Sequence, residues 1–212
     1  MSTLSRRCTL SILAVVALVL TGCGGILSSP PPRALYQVTA ATRFPAGLPH
    51  LAAQLTIDSI SAPAGLDTER IALSRSPVSI DYFAGAAWTD RVPPLLRTVL
   101  VQSFENSGAF SAIGTDTFIP RTDYLLAVEV RDFEAAYDSQ TAPPVATIGL
   151  SLKLLKLPER RIIAQTLIQT RQPAAANAIP QVVDALNTAL HKAIAEAVRW
   201  TADNAALSAR RR

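Results

Sequence analysis

The chain has 212 residues, with 20 lysines and arginines against 16 acidic side chains and a formal net charge of +4. Arg6 and Arg7 lie at its start and Arg210, Arg211 and Arg212 at its end, so the basic balance belongs to the termini. No basic face remains for a nucleic-acid-binding module. Both cysteines, Cys8 and Cys23, fall within the first 23 residues, leaving the rest of the chain without a thiol for disulfides or nucleophilic chemistry.

Arg6 and Arg7 precede an apolar run from Leu10 to Leu20, closed by Thr21-Gly22-Cys23. A charged start, a run too short to span a bilayer and small residues at its end predict a secretory signal. Leu20-Thr21-Gly22-Cys23 resembles the bacterial lipobox. That resemblance implies a diacylglyceryl group on the Cys23 thiol, removal of residues 1–22, and an N-acyl chain on the new amino terminus. Each buried acyl methylene contributes about 0.8 kcal/mol to membrane binding, so several chains on one residue give durable anchoring. The expected organisation is a signal peptide at 1–22, a tether at 23–34, one domain at 35–206 and a basic tail at 207–212. Within the tether, Gly24-Gly25 and Pro30-Pro31-Pro32 favour a flexible start followed by extended chain, reaching about 3 Å per extended residue.

Leu35 to Thr39 alternates as a first strand, and Pro45, Gly47 and Pro49 mark a loop. Gln54 to Ile60 reads as a second strand. Ile71 and Leu73 share a face of a third; Val78, Ile80 and Tyr82 share a face of a fourth, with Ser76-Pro77 turning between them. Tyr82, Phe83 and Trp88 then cluster around Gly85-Ala86-Ala87, a stretch taken as a loop, with two roles open: a core plug or a partner contact. Asp90 is placed to cap a helix that accepts Pro93 and Pro94 in its first turn and stops at Gly108. Its apolar positions Val92, Leu96, Val99, Leu100 and Phe104 recur at helical spacing. Phe110 and Ala112 suggest a short strand.

Beyond Thr122, Tyr124, Leu126, Val128 and Val130 alternate with Leu125, Ala127, Glu129 and Arg131. Ile148, Leu150, Leu152 and Leu154 repeat the pattern, and Pro158-Glu159-Arg160 turns into a third long strand from Arg161 to Thr170. From Pro180 to about Ala206, Val183, Leu186, Leu190, Ile194, Ala197 and Thr201 form a helical stripe. The predicted fold is a single α+β domain, an antiparallel sheet with both helices on one face.

The catalytic inventory is thin. His50 sits in a proline-bounded loop, and His191 shares the polar flank of the last helix with Asp184 and Asn187; both read as solvated side chains. Asp58, Asp67 and Glu69, and separately Asp132, Glu134 and Asp138, lack the spacing of a calcium loop. No phosphate-cradling glycine loop, nucleophile elbow or zinc helix motif occurs, so the expectation is no enzymatic activity, no metal and no cofactor beyond the lipid on Cys23. The terminal arginines read as a solvated end or as a contact for anionic head groups.

Gly65-Leu66-Asp67-Thr68-Glu69-Arg70-Ile71-Ala72-Leu73 and Ile80-Asp81-Tyr82-Phe83-Ala84-Gly85-Ala86-Ala87-Trp88, leading into Pro93-Pro94-Leu95-Leu96, resemble the core of the ABC-type transport auxiliary lipoproteins, which include paraquat-inducible protein C. Asp132-Phe133 and Pro173-Ala174-Ala175-Ala176-Asn177 are similar as well, and the resemblance extends over about residues 33 to 203. It implies a non-enzymatic lipoprotein working with an MCE-domain substrate-binding protein, an ABC permease and its ATPase to move lipids between membranes. Gly24, where an aspartate would favour retention in the inner membrane, implies the outer membrane facing the periplasm. The competing expectation is a direct binder of lipid or another hydrophobic ligand, motivated by the long alternating strands. A short edge strand would also allow homo-oligomer formation.

Overall fold

A computed structural model describes residues 33–115, 122–138, 142–157 and 159–210. Cys23, the signal peptide, most of the tether, Pro158 and the last two arginines of the tail lie outside the described residues. Arg33–Arg212 forms one compact unit.

Three long strands organise the sheet: β6 (Tyr124–Ala136), β7 (Val145–Lys156) and β8 (Arg161–Pro173), paired antiparallel in that order. Alternation drives them, since a period of two sends one set of side chains to the core. Tyr124, Leu126, Val128 and Val130 are buried on β6, and Ile148, Leu150, Leu152 and Leu154 on β7. A bulge between Val130 and Asp132 then inverts the phase, so that Phe133 and Ala135 continue the core face while Asp132 and Glu134 turn to the other face.

The free side of β6 is divided between two short strands laid end to end. β2 (Leu51–Ile57) runs parallel to Tyr124–Leu126, and β3 (Arg70–Ser74) runs parallel to Glu134–Ala136. Ser61 bridges the gap: its N–H donates to the Val128 carbonyl at 3.2 Å, and its carbonyl accepts from Val130 N–H at 2.8 Å. β5 (Phe110–Gly114) lies parallel outside β2. β4 (Asp81–Trp88) lies antiparallel outside β3, with β1 (Ala34–Tyr36) parallel beyond it. The sheet is therefore mixed rather than wholly antiparallel. Parallel neighbours require a crossover, and α1 (Val92–Ser107) supplies the one that returns the chain to β5.

Two local expectations change. Val78 is 96% exposed and Ile80 44% exposed, so neither belongs to a strand; they form the tip of the β3–β4 hairpin. The Tyr82 to Trp88 stretch is not a loop but β4 itself, whose small residues pack beside two neighbours while Gly85, at φ 70°, absorbs a register shift against β3.

α1 begins after Arg91, which has no side-chain cap; the Asp90 carboxylate accepts the Arg91 N–H at 2.7 Å instead of reaching into the helix. Pro93 and Pro94 fit the first turn because its N–H groups have no internal partner. Gly108, at φ 62°, ends it. α2 (Ile179–Arg210) runs one turn beyond the expected end. The two helices touch each other and share one sheet face, where all of Val92, Leu96, Val99, Leu100, Phe104, Val183, Leu186, Leu190, Ile194, Ala197 and Thr201 are buried. Ala185, Ala189, Ala193 and Ala197 let α2 approach the strands closely. Polar ties fix its position: Thr170 Oγ1 donates to the Ala189 carbonyl at 2.8 Å and the Tyr124 hydroxyl to the Ala205 carbonyl at 3.1 Å. Each fully buried leucine or isoleucine on this face stabilises the fold by roughly 1.5–3 kcal/mol.

Candidate functional site

The segments Gly65–Leu73 and Ile80–Trp88 fold onto each other at the root of the β3–β4 hairpin. The Arg70 guanidinium stacks 3.6 Å over the Tyr82 ring, and the Tyr82 hydroxyl donates to the Gly65 carbonyl at 2.9 Å. An added Cβ at Gly65 would stand 3.2 Å from Ile80 Cδ1, so glycine leaves room for that side chain. Trp88 N–H donates from the backbone to the Glu69 carbonyl at 2.7 Å, and Arg91 pairs with Asp67.

Among the aromatic trio, Trp88 is 1% exposed and its ring meets Phe133 at 5.4 Å between centroids. It is a core plug, so its ring offers nothing to a partner, and the contact role expected for it is withdrawn. Burial also leaves its indole N–H without an acceptor among the described residues. Tyr82 and Phe83 are half-buried, with edges open to solvent.

Beyond this root the hairpin tip, Ser76 to Ile80, overhangs the sheet face that carries no helix. A cleft of about 570 Å³ opens on one side of it, walled by Arg75, Tyr137, Asp138 and Arg171; another of about 440 Å³ opens on the other side, walled by Pro63, Leu66, Val78 and Ile80. Asp132 and Glu134 line both. The Ser74 hydroxyl donates to Glu134 at 2.6 Å, and Arg171 pairs with Asp138 at 3.2 Å. Arg75 stands 5.1 Å over the Tyr137 ring, whose hydroxyl donates to Asn177 at 2.7 Å. Burial raises the Tyr137 pKa above 10.0, and the positive charge of Arg75 lowers it in partial opposition. The arrangement is an exposed aliphatic finger between two open clefts of mixed charge. Ser74 and Glu134, which line both clefts, are tied to each other by their hydrogen bond.

The two histidines are structural. His50 Nδ1 donates to the Gly108 carbonyl at 2.8 Å, at the end of α1. His191 Nε2 lies 2.9 Å from the Thr39 carbonyl, and Asn187 Oδ1 accepts the Thr39 N–H at 3.0 Å, so both clamp the segment after β1 onto α2. That partner lies 152 residues away in sequence and left no local signal. Among the described residues, no group of three or more His, Cys, Asp or Glu side chains is placed to hold a metal. No described helix is long and apolar enough to cross a membrane.

Residues 34–198 match the family described as the ABC-type transport auxiliary lipoprotein component, and the chain belongs to that family. A crystal structure of a DUF330-family protein from Xanthomonas campestris is similar at 30% identity, covering 83% of this chain and 98% of that one with a TM-score of 0.78. A second crystal structure shares the fold at 16% identity and a TM-score of 0.62, covering 79% of this chain and 97% of the other. A protein of Bradyrhizobium diazoefficiens is 30% identical over 158 residues, which are 71% of this chain; the chain spans 40% of that relative's length.

Proposed function

We propose that this chain is a periplasm-facing, non-enzymatic lipoprotein that docks an MCE-associated ABC system moving lipids between membranes. The observation that carries the reading is the family match across residues 34–198, which takes in the hairpin root, the meander and most of α2. In this reading the lipid on Cys23 holds the tether, and the hairpin tip with Tyr82 and Phe83 meets the transporter. The partners are an MCE-domain substrate-binding protein, the permease and its ATPase. ATP chemistry belongs to that ATPase. Val78 and Ile80 support the docking role, because together they place apolar surface at the tip of the hairpin, between the two clefts. Gly24 after Cys23 supports the outer membrane.

Affinity purification of the full acylated chain from gently solubilised envelopes is the test. Recovery of an MCE-domain protein or the permease with the native chain, and its loss with Val78→Asp, is the expected result. Equal recovery of unrelated envelope proteins by both chains would overturn the docking role. Density fractionation of the two membranes checks the location separately.

A further inference from the structure

β8 ends the sheet on the side away from β6, and β7 is its one strand partner among the described residues. The other strands that end the sheet are short: β1 has 3 residues and β5 has 5, against 13 in β8. Shortness is one way in which a natural sheet keeps its edge from pairing with another chain; charge, proline and bulges are others. From Ala164 to Thr170, β8 uses none of them. This stretch contains no charged residue, proline or glycine, and its register on β7 runs unbroken from Leu154 opposite Ala164 to Ile148 opposite Thr170.

Alternate backbone N–H and C=O groups along such an edge point away from the neighbouring strand. Among the described residues, none outside β7 bonds to the backbone of this stretch. α2 packs on the face of Ile168 and Thr170, where Ile168 is buried and the Thr170 hydroxyl reaches the Ala189 carbonyl. Gln165, Leu167 and Gln169, on the other face, are exposed, and Leu167 at 52% stands in the middle of that row.

The stretch is complementary to itself. A two-fold axis normal to the sheet brings two such edges together antiparallel and sets one residue opposite its own copy. Ala164 to Thr170 is centred on Leu167. With the axis there, Leu167 meets Leu167, Gln165 meets Gln169, Thr166 meets Ile168 and Ala164 meets Thr170. Each glutamine amide then faces another amide, the exposed leucines cover each other, and no charge opposes a charge within the stretch. An axis one or two residues away sets Leu167 opposite Gln165, Gln169, Arg171 or Ile163, the last being the residue that β7 leaves unpaired at its bulge.

We propose that the β8 edge pairs with the β8 edge of a second copy of this chain, antiparallel about Leu167, so that two sheets become one. The pairing rests on this edge alone and does not depend on the transporter reading.

Sedimentation velocity of the acylated full-length chain in a neutral detergent, over about 1–100 µM, should show a shift from one chain to two as concentration rises. Leu167→Lys sets like charges opposite each other at an exposed position. It should weaken the association at least about tenfold while leaving the thermal midpoint of the single chain unchanged. A second measurement does not depend on how that variant folds. Under the expected processing Cys8 leaves with the signal peptide and Cys23 carries lipid, so a cysteine placed in the domain is the available thiol. Lys153 lies opposite Gln165 on β7 and is exposed on the same face. Three strand spacings would separate it from its copy, at least about 14 Å, beyond the reach of a disulfide. Mild oxidation should therefore link Leu167→Cys chains into dimers at least about tenfold faster than Lys153→Cys chains. A single-chain mass over the whole range, a dimer that Leu167→Lys leaves intact, or equal linking of the two cysteine variants overturns the pairing. No transporter enters these assays, so their failure leaves the docking role standing.

Discussion

The Asp132 side chain lies over the α-carbon of Gly149 on the neighbouring strand, filling the space a side chain there would need. An added Cβ at Gly149 would stand 3.1 Å from Asp132 Cγ and closer still to its carboxylate oxygen. The bulge after Val130 turns Asp132 toward that position, and the glycine opposite accepts it. Asp132 and Gly149 thus form one device that sets the acidic patch shared by the two clefts.

Gly149→Ala should destabilise the protein by about 1–3 kcal/mol through overpacking. Pairing it with Asp132→Ala should recover most of that loss, because the collision partner is gone. Chemical denaturation of the four variants gives the coupling directly; additive losses would show that the two residues do not share this space.

Trp88→Ala should cost about 3–5 kcal/mol, the usual range for removing a large aromatic side chain from a packed core. Tyr82→Phe removes only the bond to the Gly65 carbonyl and should cost about 1 kcal/mol. Urea midpoints would separate the core plug from the hairpin root; similar losses for both would contradict the burial difference between them.

Val78→Asp should change stability by no more than about 0.5 kcal/mol, since the side chain is 96% exposed. Under the proposed role, a stable variant that no longer captures the transporter assigns the loss to the contact rather than to the fold.

Alkaline pH probes Tyr137. Burial raises its folded pKa above 10.0, so the neutral phenol is favoured in the folded state. The resulting stability is complete below 10.0 and declines as pH rises through the folded value. Thermal midpoints between about pH 9 and 11.5 should fall more steeply for the native chain than for Tyr137→Phe. Parallel slopes would rule this contribution out.

Under the proposed role, Cys23→Ser should shift the chain from the membrane fraction to the soluble fraction, read by ultracentrifugation, and abolish transport support. Undiminished transport by the soluble form would remove the anchor from the mechanism.

The meander was legible because Tyr124 to Val130 and Ile148 to Leu154 alternate cleanly and the paired strands are adjacent in sequence; the bulge after Val130 was not. Both helices were legible for a similar reason, with Gly108 marking one boundary through a conformation that glycine adopts easily. The parallel pairings were not, because Leu55 meets Tyr124 and Ala72 meets Glu134 across long intervals that leave no mark on either segment. β4 was hidden by its own composition: Ala84-Gly85-Ala86-Ala87 has little strand propensity, and its neighbours β1 and β3 hold it extended.

The split strand beside β6 bears on how the molecule comes into being. β2 and β3 are made well before β6, yet β6 is the strand against which both are aligned. The amino-terminal half therefore stays without its template while the chain emerges, and the order of synthesis opposes the order of assembly. Under the proposed role, in which the chain crosses a membrane before it folds, that delay keeps its earliest segments from completing the sheet prematurely.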